Sequence, residues 1–375
     1  GGTPGLSSNY KLDGGTHTFN VTKKDITFSG SRVYDGTTTV SSSDLVTNDT
    51  TSGETLAFSG SGTVSSANVQ NNQSITLGSI AIADGSGGGL ASNYNLTTGT
   101  FDISQKWVSV GGQKIYDATT TVSSSDLEVT GEVTGESISI TGTGSVTDKN
   151  VGSGKTIDIS GLSLSDGSHS ASNYTIGTTS FAITRRNLSI SGEKVYDGTG
   201  TVLASQIDTV NTAGGETLTI SGEGSVSLPS VGTNKSITLN TLGISDGTNG
   251  TIGLASNYTL DSGSFDITTK PITLSGSRQY DGTTDVASSD LTLIGEVSGE
   301  SISITGTGSV TDKNVGAGKT INTTGLSLAD NTSNASNYSL STGTFTINNK
   351  ILSISGTRAY DLSLIHISEP TRPFH

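Results

Sequence analysis

The sequence predicts an all-β chain, a tandem array of small antiparallel β-sandwiches of about 80 residues each. Three observations predict it. Two short motifs return at a near-constant period. Between the returns, apolar residues alternate with Ser and Thr. Where the alternation breaks, Gly, Asp and Asn gather.

The period comes first. The Tyr of a Tyr-Asp-Gly motif falls at Tyr34, Tyr116, Tyr196, Tyr280 and Tyr360, and that of a Ser-Asn-Tyr motif at Tyr10, Tyr94, Tyr174, Tyr258 and Tyr338. Spacings of 80 to 84 residues are too long for a solenoid turn and fit a complete small domain. Residues 131–157 and 295–321 differ at only two positions. The divisions are a C-terminal part of a truncated repeat (1–24), four full repeats (25–105, 106–185, 186–269 and 270–349), the start of a fifth (350–361) and a tail (362–375). With no basic-then-apolar start and no Met, residue 1 reads as an internal point of a longer protein.

The strands follow from alternation. Ile138 and Ile140, Ile157 and Ile159, Leu162 and Leu164, and Phe181 and Ile183 each flank a small or polar residue, which puts one face in a core and the other in water. No long segment carries a 3.6-residue apolar stripe; "SSSDL" makes at most a single Ser-capped turn. Seven or eight short strands per repeat favour an Ig-like sandwich. Basic residues (Lys24, Lys106, Arg186, Lys270, Lys350) mark the joins, which are one to three residues long. Such short joins predict a semi-rigid, extended, monomeric rod.

Composition removes several function classes. A net charge of −14 and a pI near 4.5 disfavour nucleic acid and anionic lipid as partners. Cysteine is absent, so there is no disulfide framework or thiolate metal site. No run of about 18 apolar residues occurs, so no membrane insertion is expected of this stretch.

The motifs read as structure. Tyr34, Tyr116, Tyr196 and Tyr280 bury a ring and give the hydroxyl a partner. Asp35, Asp117, Asp197 and Asp281 accept backbone bonds in the following turn, and Gly36, Gly198 and Gly282 supply a permissive backbone. Ala118 stands at that Gly position in the second repeat and implies that φ > 0 is not strictly required there. In the second motif Asn93, Asn173, Asn257 and Asn337 bond backbone near a turn, while Tyr94, Tyr174, Tyr258 and Tyr338 pack at a domain end. The recurrence closes each sandwich in the same way.

Chemistry finds no footing. Four His without period make no metal site, and no nucleophile elbow has a matching His. "GSGGG" at 85–89 lacks the Lys-Ser/Thr and helix of a phosphate loop. The acidic turns at 83–87, 165–170 and 245–250 offer too few oxygens for calcium. No catalytic, cofactor-binding or metal residue is assigned and no enzyme is expected. Calcium held by converging carboxylates between repeats is the one cofactor alternative. Lys155 and Lys319 are candidate donors for a Lys–Asn isopeptide cross-link.

"YDGTT", then "VTDKNVGxGKTI", then "LSLSDG…ASNYTI" resembles the YDG-domain repeats of large bacterial haemagglutinin-like surface adhesins, over residues 1–361. The departures are Ala118, "SVSLPSVGTNKSI" at 225–237 and "TVSSANVQNNQSI" at 63–75, which lack the Asp-Lys-Asn form. The resemblance implies a non-catalytic stalk or passenger segment of a secreted or surface-anchored adhesin. Its place would be the extracellular bacterial surface, and a glycan or protein of a host or neighbouring cell would be its partner. The alternatives are an array of lectin-like glycan-binding modules and accessory β-domains of a secreted enzyme. Residues 362–375, "LSLIHISEPTRPFH", break the pattern and resemble a translated sequencing adapter.

Overall fold

A computed structural model describes residues 7–12, 14–357 and 359. The described residues form β-strands and single turns of 3-10 helix, with no α-helix among them. No helix among them is long and apolar enough to cross a membrane. The strands group into separate sheets, repeat after repeat, as the alternation predicts. The chain divides into two compact units, one of residues 1–186 with 256–259, the other of 187–255 with 260–375.

The second repeat, in the first unit, shows the plan. Its opening strand Lys106–Ile115 lies between Leu127–Thr130 and the closing strand Tyr174–Thr184, and Gly152–Lys155 adds the other edge. A second sheet centres on Ile138–Val146, paired at one end with Thr121–Ser123 and Ile157–Asp158 and at the other with Leu162–Asp166. The stretch 152–158 passes from one sheet to the other: Lys155 pairs with Phe181, Ile157 with Val146. In the second unit the same stretch is continuous (Gly316–Asn322) and joins the fourth repeat into one eight-stranded sheet.

Most neighbours run antiparallel, as expected of a sandwich. The opening and closing strands do not. In repeats one, two and four they pair parallel, for example Val108 with Ile176 and Ile115 with Thr184. Period-two alternation is the same in both orientations, so sequence pattern could not separate them. A parallel first-and-last pair makes each repeat receive the chain at one end and release it at the other. A single residue, Gln105, then separates the closing strand of repeat one from the opening strand of repeat two.

Burial follows the alternation. Val108 and Val110 point inward and Trp107 and Ser109 outward; Phe181 and Ile183 bury against them from the closing strand. A Phe at this place in the closing strand (Phe101, Phe181, Phe265, Phe345) is fully buried in all four repeats. The single turn after "TVS" forms as predicted, with the Ser41 and Ser123 hydroxyls accepting from the Ser43 and Ser125 N–H groups. Gly112 lets that turn back onto the opening strand, since a Cβ there would sit 1.9 Å from the Asp126 carbonyl oxygen.

Candidate functional site

The Tyr-Asp-Gly turn follows the opening strand. The N–H of Tyr34 donates to the Ser104 carbonyl at 2.9 Å, and that of Tyr116 to the Thr184 carbonyl at 2.9 Å, so the Tyr extends the parallel ladder by one bond. The Asp then folds the chain back. Asp35 Oδ1 accepts from the Thr37 N–H at 2.9 Å and its hydroxyl at 3.0 Å; Asp117, Asp197 and Asp281 do the same with Thr119, Thr199 and Thr283.

Each Asp also meets a basic residue three positions earlier, which the sequence reading did not single out. Lys194 Nζ lies 2.9 Å from Asp197 Oδ1 and donates to the carbonyls of Thr199 and Thr201 at 2.9 and 2.8 Å. Lys114 does the same with Asp117, Thr119 and Thr121, while Arg32 and Arg278 supply a guanidinium in repeats one and four. The basic side chains are nearly buried and the carboxylates half exposed. Burial pushes the Asp117 and Asp197 carboxyls up, but the lysine, the Thr N–H and the Thr hydroxyl outweigh it and hold both below the usual carboxylate range. The signal was present: Arg32, Lys114, Lys194 and Arg278 each stand two residues before the Tyr.

The Gly position corrects the sequence expectation. Gly36, Gly198 and Gly282 have φ of 78°, 81° and 87°, and Ala118 has φ of 65°. The turn does require the left-handed region, and Ala118 occupies it at a steric cost.

The two motifs meet across successive repeats. Tyr174 and Glu136 belong to repeat two: the Tyr174 hydroxyl donates to Glu136 Oε2 at 2.5 Å and accepts from the Val133 N–H at 3.1 Å. Tyr34 of repeat one completes the group, donating to Glu136 Oε1 at 2.8 Å and packing edge-on against the Tyr174 ring, centroids 5.4 Å apart at 79°. Asn173 bridges beside it. Its Oδ1 accepts from the Val69 N–H at 2.9 Å, and its Nδ2 donates to Asn68 Oδ1 at 2.9 Å. The side chain of Gln105, the joining residue, donates to the carbonyls of Ser172 and Tyr174. The apolar core runs through: Phe28, Tyr34 and Ile103 of repeat one share a cluster with Val108, Ile138 and Tyr174 of repeat two.

The second unit repeats this clasp between repeats three and four. Tyr196 and Tyr338 donate to Glu300 Oε1 and Oε2 at 2.6 and 2.5 Å, their rings lie 5.5 Å apart at 79°, and Asn337 Oδ1 accepts from the Val231 N–H at 3.0 Å. In the first unit, Tyr116 and Tyr258 form the same ring pair at 5.4 Å and 78°, and Asn257 bridges Val151 and Asn150 at 2.9 and 3.0 Å. Burial, and then the bond to the shared carboxylate, push the hydroxyls of Tyr34, Tyr174, Tyr196 and Tyr338 up to about 12. Gly36 serves the approach as well, since a Cβ there would meet Glu136 Oε1 at 2.9 Å.

The remaining motif residues fall around this plan. Tyr94 donates to Glu54 within repeat one and accepts from the Thr51 N–H at 3.1 Å, beside the single turn that holds Asn93. Tyr280 is half-buried, and nothing stands within 4 Å of a Cβ built on Gly282. The Tyr-Asp-Gly tyrosine therefore acts beyond its own sandwich, which the reading of it as a closure of one repeat did not include. Glu54, Glu136, Glu216 and Glu300, each following Gly, are the acidic residues that reading missed; their recurrence at the repeat period was the available signal.

The other polar motifs are engaged internally. The aspartates of the acidic turns, Asp84, Asp166 and Asp246, accept from the N–H groups of Ala91, Ala171 and Ala255 at 2.7 to 2.8 Å, which fixes the turn leading into Ser-Asn-Tyr. Lys155 and Lys319 lie 2.9 and 2.8 Å from Asp148 and Asp312, so the nearest acceptor of each is a carboxylate and not the Asn carboxamide of a Lys–Asn cross-link. Among the described residues, no three of His, Asp and Glu gather in a group that could hold a metal ion.

No curated protein matches the chain. Among solved structures, a Drosophila N-cadherin EC1-4 crystal structure aligns at 9% identity over 88% of this chain and 99% of that one, with a TM-score of 0.16, too low to carry an argument. The YDG domain matches four times in succession, over residues 17–101, 105–181, 184–265 and 267–345. These matches take in the Tyr-Asp-Gly turns and the Ser-Asn-Tyr turns that clasp one repeat to the next, and the chain belongs to the YDG domain family.

Proposed function

We propose that this chain is a non-catalytic, repetitive stalk or passenger segment of a secreted or surface-anchored bacterial adhesin, working outside the cell as an extended monomer. One observation carries the reading: the motifs that define the repeat direct their polar atoms at each other across successive repeats, in the Tyr34–Glu136–Tyr174 and Tyr196–Glu300–Tyr338 clasps. A binding module would leave its recurrent polar groups open to a ligand. Here the tyrosine hydroxyls and the Asn carboxamides are taken up in the joins, as a spacer needs. The acidic charge of −14 fits a soluble surface segment that avoids nucleic acid and anionic lipid.

Solution scattering of the whole chain tests the extension. Four sandwiches of roughly 30–40 Å each give a particle of about 120–160 Å. A compact particle of about half that length would overturn the spacer reading. The adhesin assignment is tested by displaying the chain on a non-adherent bacterium and measuring retention under flow on host-cell monolayers. No gain over a display control would count against it. Resequencing across codon 361 tests the adapter origin of residues 362–375, which lie outside the described residues; reads that encode this peptide in the genome would refute it.

A further inference from the structure

We propose a binding site for a neutral oligosaccharide on the outward face of the second repeat, running from Trp107 to the trough over Gly111. The proposal is independent of the stalk reading, since it concerns one repeat and not the joins.

The face is built from three neighbouring strands whose registers are fixed. One rung across it is Glu128, Gly111 and Ser180; the next is Thr130, Ser109 and Thr178. Trp107 lies two residues before Ser109 and therefore on the same face, roughly 7 Å further along the strand. Its side chain is 75% exposed, the chain's only tryptophan. It stands over Gly177, where a Cβ would lie 3.1 Å from its own. A trough of about 390 Å³ lies over Gly111, between Glu128 and Ser180.

Comparison among the four repeats gives this face its meaning. The inward positions keep one chemistry throughout: Ile26, Val108, Leu188 and Ile272, then Phe28, Val110, Ile190 and Leu274. Two outward positions of repeat two depart from the rest. Trp107 stands where the others have Asp25, Asn187 and Pro271, and Gly111 where all three have Ser (Ser29, Ser191, Ser275). Glu128 replaces Val46, Asp208 and Thr292; Thr130 replaces Asn48, Val210 and Ile294. Nothing in the sandwich requires these changes, since the other repeats fold without them. An exposed large aromatic costs solubility, and the cover that Trp107 gives Gly177 leaves most of the indole in water.

Their chemistry selects the occupant. A flat aromatic face takes the C–H side of one pyranose ring, and the glycine floor, roughly 13 Å along the strand, admits another ring of the same chain. A carboxylate and a row of hydroxyls take up its O–H groups. No Lys or Arg lines the trough, and the whole chain is acidic, so an anionic ligand is disfavoured and a neutral polyol is not.

Because Trp107 is the sole tryptophan, its fluorescence reports directly on the site. The intact chain is titrated with cellohexaose, maltohexaose and mannohexaose. A saturable change with at least one of them, with a dissociation constant of about 0.1–1 mM, is expected. Gly111→Ser, which installs the residue of the other three repeats, should weaken it at least about tenfold. Glu128→Thr, which installs the residue of repeat four, should do likewise while the fold stands. No saturable change with any of the three at about 10 mM overturns the proposal, as does unaltered affinity in both variants.

Discussion

Ala118 carries a φ of 65° that its counterparts reach as glycine. An L-residue in the left-handed region costs about 1 kcal/mol relative to Gly, which more than offsets the backbone entropy that Gly loses on folding. Ala118→Gly should therefore stabilise the second repeat by a few tenths to about 1 kcal/mol, read as a higher denaturant midpoint. A lower midpoint would show that the turn tolerates alanine without strain. The tyrosines of the clasps make a prediction about pH. Their folded values, about 12, lie above the ordinary 10.0. The neutral phenol is thus the form that folding favours. Its contribution is complete below pH 10 and is lost as pH rises towards 12, because the unfolded chain releases its protons first. The two tyrosines of each clasp share one carboxylate, so the loss belongs to the pair and not to either residue. Unfolding titrations at stepped alkaline pH should show stability falling from about pH 10. A flat profile to pH 12 would contradict the burial of these hydroxyls.

At the scale of the element, the unit of interest is the clasp: one closing strand, one loop and the turn of the repeat before. Glu136→Ala removes the carboxylate that accepts from both Tyr34 and Tyr174 and leaves their O–H donors without it, at a cost of about 2–4 kcal/mol. Glu136→Gln keeps one acceptor oxygen and should recover part of that. Proteolysis at the Gln105 join is the readout, with faster cleavage expected in Glu136→Ala than in Glu136→Gln or the parent. Equal rates in all three would mean that the apolar contacts alone hold the join. Much of this element was legible in the sequence. The strands followed from strict alternation, as at Phe181 and Ile183, and the capped turn at Ser123 followed from its hydroxyl. The partners of the conserved-looking tyrosines were not. Tyr34 and Glu136 lie 102 residues apart, and periodicity says that both recur but not that one plugs into the other. The direction of the closing strand was hidden for a different reason, since a parallel ladder and an antiparallel one bury the same alternate side chains.

At the scale of the molecule, the chain enters repeats one, two and four at one end of a parallel pair and leaves at the other. Consider a force applied to the two ends of the chain. The opening and closing strands, Lys106–Ile115 against Tyr174–Thr184 in repeat two, would then be dragged along their length in opposite directions. Every rung of the ladder is stressed at once, and the strands must slide in shear before any bond can open. A hairpin pulled from its two free ends would instead unzip bond by bond at low force. Constant-velocity stretching of the whole chain should therefore give a sawtooth of high, similar rupture forces, one per repeat, governed by the unfolding rate and not by equilibrium stability. A featureless low-force extension would mean that the ladder yields from its ends. With shear resistance built into its modules, the array would behave as a tether whose mechanical strength is set by its weakest repeat and whose reach is set by their number.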